Sequence, residues 1–176
     1  MTDAADLPFR VGSGYDIHRL GAARPLVLGG VRVPHDVGLI GHSDADVVLH
    51  AVIDALLGAA GLGDIGTRFP PEDPRYKDAD SAILLRQVVA ELRRAAWEPV
   101  NVDITVIAER PRIAPHARAM RRAIAAALAI APERVSVKAK TNEGLDAVGR
   151  GEAVAAWAVV LLRCRPYAPE APVPLL

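Results

Sequence analysis

The stretch GHSDADVVLHAVIDALLGAAGLGDIG, residues 41–66, decides how the rest of the chain is read. It opens on polar His42, Ser43, Asp44 and Asp46, then runs into a helix of small apolar residues carrying His50 and Asp54. It closes on a glycine-spaced segment ending Asp64-Ile65-Gly66. Residues four apart share one helix face, so Asp46, His50 and Asp54 are expected to form a slowly drifting polar stripe. The intervening Val47, Val48, Leu49, Val52, Ile53, Leu56 and Leu57 are core material. Carboxylates and an imidazole on an otherwise buried helix are costly unless they are paired or bind a metal. That cost makes the stretch worth pursuing.

Outward from it, the composition is that of an ordinary globular chain. Of 176 residues, 51% are apolar and 24% charged, enough for one domain with a sizeable aliphatic core. Lysine plus arginine balances aspartate plus glutamate at 21 each, which argues against nucleic acid and against an anionic membrane as partners. The single Cys164 excludes an intramolecular disulfide and suits a reducing compartment. The first residues lack a basic segment followed by an apolar one, and Arg163 interrupts the best apolar run before it reaches membrane-spanning length. A cytoplasmic location is expected.

Residues 1–8 read as a disordered leader, 9–164 as the domain and 165–176, with four prolines, as a disordered tail. The 9–15 segment is expected to be a strand that ends in a turn loosened by Gly12 and Gly14, leaving Asp16-Ile17-His18 at the strand end. Residues 25–34 look like a hairpin turning at Gly29-Gly30. Three prolines make 69–80 a loop, and a helix with an apolar stripe is expected over 82–96. Strands are expected at 100–108 and 134–140, a helix at 117–130, and a glycine-spaced polar loop at 141–151; 153–164 is ambiguous by periodicity, and its valines and lack of caps favour a buried strand. This order implies an α/β sandwich of one mixed sheet backed by helices. Apolar strands on both sheet faces would pack sheet against sheet in an oligomer.

Asp16 and His18, two apart on a strand, point to one face and can ligate one ion. Alone the pair is a weak signal, as is His50. Together they offer two nitrogens, one carboxylate oxygen and an open fourth position, the donor set of a catalytic zinc. Asp46 or Asp54 is expected to orient an imidazole from behind. Gly41-His42-Ser43 and Asp64-Ile65-Gly66 can present backbone N–H groups to phosphate. Lys138, Lys140, Thr141 and Glu143, at a strand end, suit Mg²⁺ on a diphosphate. His35 and His116 are given no role.

The motifs Gly14-Tyr15-Asp16-Ile17-His18, His42-Ser43-Asp44-Ala45-Asp46 with His50 and Asp54, Leu62-Gly63-Asp64-Ile65-Gly66, Asn101-Val102-Asp103 and Gly149-Arg150-Gly151-Glu152 follow one another in an order that chance does not produce. With them the chain, over about 9–163, resembles the 2-C-methyl-D-erythritol 2,4-cyclodiphosphate synthase family. The resemblance implies a homotrimer with sheets packed around a threefold axis and active sites between neighbouring subunits. It implies zinc on Asp16, His18 and His50, and Mg²⁺ or Mn²⁺ on Glu143, with His42, Thr141 and Glu143 serving catalysis. His42 and Ser43 would hold phosphate, and Asp64, Ile65, Gly66 and Asp73 the erythritol. Ala108, Arg112, Ile113, Ala114, Ala139, Lys140 and Thr141 would form the cytidine and diphosphate pocket of the neighbouring subunit. The implied substrate is 4-diphosphocytidyl-2-C-methyl-D-erythritol 2-phosphate, whose 2-phosphate attacks the β-phosphorus to release CMP.

The chain departs from the family pattern at Lys140, often threonine, at Pro71, often aspartate, and at Gly144-Leu145-Asp146-Ala147, often Lys-Leu-Gly-Phe. In some relatives an apolar axial cavity holds an isoprenoid diphosphate gripped at the Arg150 position; Asp146 and Ala147 remove its aromatic lining here. Two other activities compete with cyclisation. One is a zinc phosphohydrolase that uses metal-bound water. The other is a non-catalytic trimeric nucleotide-binding protein.

Overall fold

The alternation that begins at Phe9 does not break at its glycines. In the computed structural model, which describes residues 8–165, strand β1 runs unbroken over Phe9–Ala22, so Asp16 and His18 lie well inside it. The turn expected at Gly12 and Gly14 is absent for a steric reason. Both residues face helix α1 (Val47–Ala60), and a Cβ on Gly12 would sit 2.1 Å from the Ala55 carbonyl oxygen. A Cβ on Gly14 would sit 2.1 Å from that of Ala51. The glycines let a helix lie directly on the strand backbone.

Strands β2 (Leu26–Leu28) and β3 (Val31–Val33) form the expected hairpin, closed at Gly29-Gly30. After the short β4 (Gly38–Leu39), α1 begins with Asp46 as its N-cap. That carboxylate is fully buried and accepts from Val48 and Leu49 N–H at 3.1 Å. It also accepts from Gly29 and Gly30 N–H, at 2.8 and 2.7 Å, and so ties the hairpin to the helix start. Asp46 therefore precedes the polar stripe; within α1 the residues that are not buried are His50, Asp54 and Gly58, spaced by four. The rest of the helix is Ala, Val, Leu and Ile in the core, each large one contributing about 1.5–3 kcal/mol on burial.

The chain continues through α2 (Ile65–Arg68), a 3-10 turn (Pro74–Tyr76) and α3 (Ser81–Arg94), one residue earlier than the spacing predicts because Asp80 caps it. Then follow β5 (Trp97–Ile107), α4 (Ala117–Leu128), β6 (Val135–Lys140), a one-turn helix α5 (Asp146–Gly149) within the expected loop, and β7 (Ala153–Cys164). The main sheet has the order β4-β1-β7-β5-β6, with only β5 and β6 parallel. Even-numbered residues of β1, β7 and β5 face the helices and supply Val102, Ile104, Val154, Ala156, Ala158, Val160 and Leu162 to the core. Of the odd-numbered ones, Ala153 and Ala155 are buried with Val148 of α5, and the rest leave a second face open: Val11, Tyr15, Ile17, Trp157 and Val159 are 40–69% exposed, with Tyr15 edge-on to Trp157. One sheet backed by helices, bare and apolar on its other side, matches the architecture expected from sequence. The leader and tail fall outside the described residues except for Pro8 and Arg165, which bond to Cys164 and Ala96 of the domain.

Gly14→Ala is expected to cost at least about 2 kcal/mol by forcing α1 off the strand. Urea unfolding measures it, and a loss below about 0.5 kcal/mol contradicts the close packing.

Candidate metal centre and substrate pocket

The strand period turns Asp16 and His18 toward α1, and His50, one turn into that helix, lies over them. Asp16 Oδ2 is 3.0 Å from His18 Nε2 and 3.0 Å from His50 Nδ1, and the two nitrogens are 3.2 Å apart. An ion bound tetrahedrally at about 2.0–2.1 Å spaces its ligand atoms roughly 3.3 Å apart, so this near-equilateral triangle fits one. The three side chains are half-buried and form a group able to hold a metal.

Each ring is fixed from behind. His18 Nδ1 lies 2.9 Å from the Ile40 carbonyl oxygen, which only accepts, so Nδ1 carries the proton and Nε2 is left for Asp16 or an ion. His50 Nε2 lies 3.1 Å from Ser43 Oγ and 3.0 Å from Ser81 Oγ. Neither Asp46 nor Asp54 takes the orienting role expected of them. Asp46 is consumed by four N–H groups at the helix start, and Asp54 accepts from Ile65 N–H at 2.8 Å, fastening α2 to α1. Burial raises the Asp54 carboxyl. Burial would also raise Asp16, but its bonds to His18 and His50 outweigh this and hold it well below the usual carboxylate range. Burial lowers His18, and the Asp16 carboxylate more than reverses that, leaving it raised.

The triad lines a pocket of about 240 Å³ shared with His42, Ser43, Ile65 and Gly66, and walled by Phe69, Tyr76 and Leu84. A second pocket of about 370 Å³ unites Ala108, Arg112, Ile113, Ala114, Ala139, Lys140 and Thr141 around Glu109. Asp64, Asp73, Glu143 and Arg150 line neither. Asp64 caps α2, Asp73 pairs with Arg75, Glu143 accepts from Thr141 Oγ1 at 2.9 Å, and Arg150 pairs with Glu152.

A family model described as the YgbB family matches residues 9–163. The chain belongs to the YgbB family. It is 61% identical over 157 residues to the 2-C-methyl-D-erythritol 2,4-cyclodiphosphate synthase of Bordetella petrii, a match covering 89% of this chain and 97% of that one. The synthase of Symbiobacterium thermophilum is 60% identical over 155 residues, covering 88% and 99%. Among solved structures, bifunctional IspDF from Campylobacter jejuni superposes with a TM-score of 0.86 at 42% identity, covering 89% of this chain and 42% of that one. The CDP complex of Plasmodium falciparum IspF gives 0.79 at 35%, covering 92% and 100%.

Against this family background, three supporting residues escaped the sequence reading. Ser81 reaches His50 across 31 positions. Arg24 donates to the Leu39 and Ser43 carbonyls at 2.8 Å and to that of Gly41 at 3.4 Å, stapling the loop that presents His42. Glu109 accepts from Asn142 and Gly144 N–H, shaping the loop before Glu143. An arginine after two alanines and a glutamate at a strand end carry no local signal of such bonds.

The metal-free triad makes stability depend on pH. His18, raised, contributes stability fully below about pH 6.5 and loses it as pH climbs through its folded value. Asp16, lowered, contributes above about pH 4 and loses it only in strong acid. Chelator-treated protein is therefore expected to melt lower at pH 8 than at pH 5.5, with added divalent metal abolishing the difference because the metal takes the place of the His18 proton. Differential scanning calorimetry decides it; equal midpoints at both pH values would contradict the pairing.

Proposed function

We propose that the chain converts 4-diphosphocytidyl-2-C-methyl-D-erythritol 2-phosphate to 2-C-methyl-D-erythritol 2,4-cyclodiphosphate and CMP. The observation that carries this reading is the convergence of Asp16, His18 and His50 beside His42 and Ser43 at the mouth of a largely apolar pocket. In the step, an oxygen of the substrate's 2-phosphate bonds to the β-phosphorus. The bond from that phosphorus to the α–β bridging oxygen breaks, and CMP leaves with both electrons. The nucleophile is already an anion, so no side chain need remove a proton, and catalysis reduces to alignment and charge neutralisation. Zinc held by Asp16, His18 and His50, with Mg²⁺ or Mn²⁺ at Glu143, would supply Lewis-acid neutralisation of the diphosphate.

The chain's own groups do the rest. His42, exposed at the pocket rim, and Ser43 hold phosphate oxygens. Ile65 and Gly66, positioned by Asp54, meet the erythritol, with Asp64 and Asp73 beside them. Phe69, Tyr76 and Leu84 keep water from the β-phosphorus, which separates cyclisation from hydrolysis. The second pocket takes the cytidine: Ala108, Ile113, Ala114 and Ala139 pack the base, while Arg112, Lys140 and Thr141 meet ribose and phosphate. Arg150, paired with Glu152, stands apart from both. The two pockets act together across subunits of a homotrimer, with the open β1–β7 face buried at the threefold axis. The exposed Val11, Tyr15, Ile17, Trp157 and Val159 support this, since monomers seldom leave so continuous an apolar patch in water. No helix among the described residues is long and apolar enough to cross a membrane.

Phosphorus NMR of the protein with the cytidyl substrate, zinc and magnesium is expected to show two coupled upfield resonances and one equivalent of CMP. Two uncoupled phosphomonoesters, the mark of hydrolysis, would overturn the cyclase reading. His18→Ala is expected to abolish turnover while the circular-dichroism spectrum is kept; unchanged turnover would refute the metal assignment. Sedimentation equilibrium is expected to give three times the 18.6 kDa chain mass, and Trp157→Asp to shift it toward monomer. A monomeric parent protein would contradict the shared site.

A further inference from the structure

His18 and His50 meet the same carboxylate, but what stands behind them differs. Behind His18 is a single carbonyl oxygen, that of Ile40. Behind His50 is a chain of two groups: Nε2 lies 3.0 Å from Ser81 Oγ, and Ser81 Oγ lies 2.5 Å from Asp44 Oδ1. Ser81 is fully buried, and Asp44 Oδ2 also accepts its backbone N–H at 3.1 Å.

Capping does not explain this arrangement. Asp80 caps α3 by accepting from Ala82 N–H at 2.7 Å, and Asp46 caps α1. The Ser81 hydroxyl is thus free of any duty to its own helix. A carboxylate only accepts, so the one hydroxyl proton of Ser81 is committed to Asp44. Ser81 Oγ then faces His50 with lone pairs alone, and Nε2 must carry the imidazole proton. Nδ1, the atom 3.0 Å from Asp16 Oδ2, is then the nitrogen that a metal ion can take in place of its hydrogen bond to that carboxylate.

We propose that Asp44, acting through Ser81, is a positioning pair that selects the Nε2–H tautomer of His50 and turns Nδ1 toward the metal. The proposal rests on the reading of His50 as a metal ligand. A carboxylate–serine–imidazole chain does what a direct carboxylate–histidine pair does elsewhere: it fixes the ring and makes its free nitrogen a better donor. It has a second consequence. Ser43 Oγ also lies 3.1 Å from His50 Nε2 and accepts from Ala45 N–H at 3.1 Å. Facing an N–H on both sides, Ser43 cannot donate to the ring, so its own proton is released for a phosphate oxygen in the pocket. Asp44 thereby sets the hydrogen-bonding sense of two site residues without touching substrate.

The test uses the full chain with Ser81→Ala and, as a second variant, Asp44→Asn. Nitrogen-15 histidine spectra of the zinc-loaded protein report which ring nitrogen carries the proton, and competition with a chromophoric chelator reports zinc affinity. The parent is expected to show His50 as Nε2–H. Ser81→Ala is expected to mix the tautomers and weaken zinc binding by about 10–100-fold. Asp44→Asn leaves Ser81 an uncharged acceptor and is expected to weaken binding in the same direction but less. Ser81→Ala with zinc affinity within about twofold of the parent and an unaltered Nε2–H signal would overturn the proposal, as would an Nδ1–H tautomer in the parent. A parent that binds no zinc strikes the metal reading and the proposal with it, whereas zinc bound beside an Nδ1–H ring strikes the proposal alone.

Discussion

The contact on which the site depends is backbone against backbone, where α1 rests on β1 at Gly12 and Gly14. A side chain at either position would collide with a helix carbonyl, so the helix sits as near the strand as its alanines permit. That depth sets how far His50 stands from Asp16 and His18, and a metal site tolerates little error in it. Interiors are close-packed and do not stretch to absorb a displaced helix. The same small residues that make α1 look unremarkable in the core are what let its one histidine reach the strand.

Around this contact, three aspartates in one stretch divide the polar work. Asp46 gathers four backbone N–H groups and welds the hairpin to the helix. Asp54 fastens α2, and with it Ile65 and Gly66, to the pocket wall. Asp44 reaches α3 through Ser81. Each is satisfied, which is how so apolar a region carries so many carboxylates at low cost. Arg24 completes the frame by tying down the carbonyls that flank His42.

Much of this was legible in the chain. The period of a strand put Asp16 and His18 on one face, the Gly29-Gly30 pair announced its hairpin, and β7 was readable from its valines. What misled was context. Gly12 and Gly14 read as a turn because a strand gains nothing locally from glycine; their reason is a helix that arrives some forty residues later. Asp46 read as part of a stripe because spacing by four does not distinguish a cap from a helical residue. Ser81 gave no sign of its place behind His50, since its partners lie 31 and 37 positions away. The second pocket was found by resemblance, and its residues do lie together; periodicity alone would not have joined residues 108–114 to 139–141.

The most direct measurement is a zinc-edge anomalous difference map from crystals grown with zinc. One strong peak is predicted at about 2.0–2.2 Å from Asp16 Oδ2, His18 Nε2 and His50 Nδ1 together. A peak bound through His50 Nε2, or one away from the triad, would contradict the geometry on which the assigned chemistry stands.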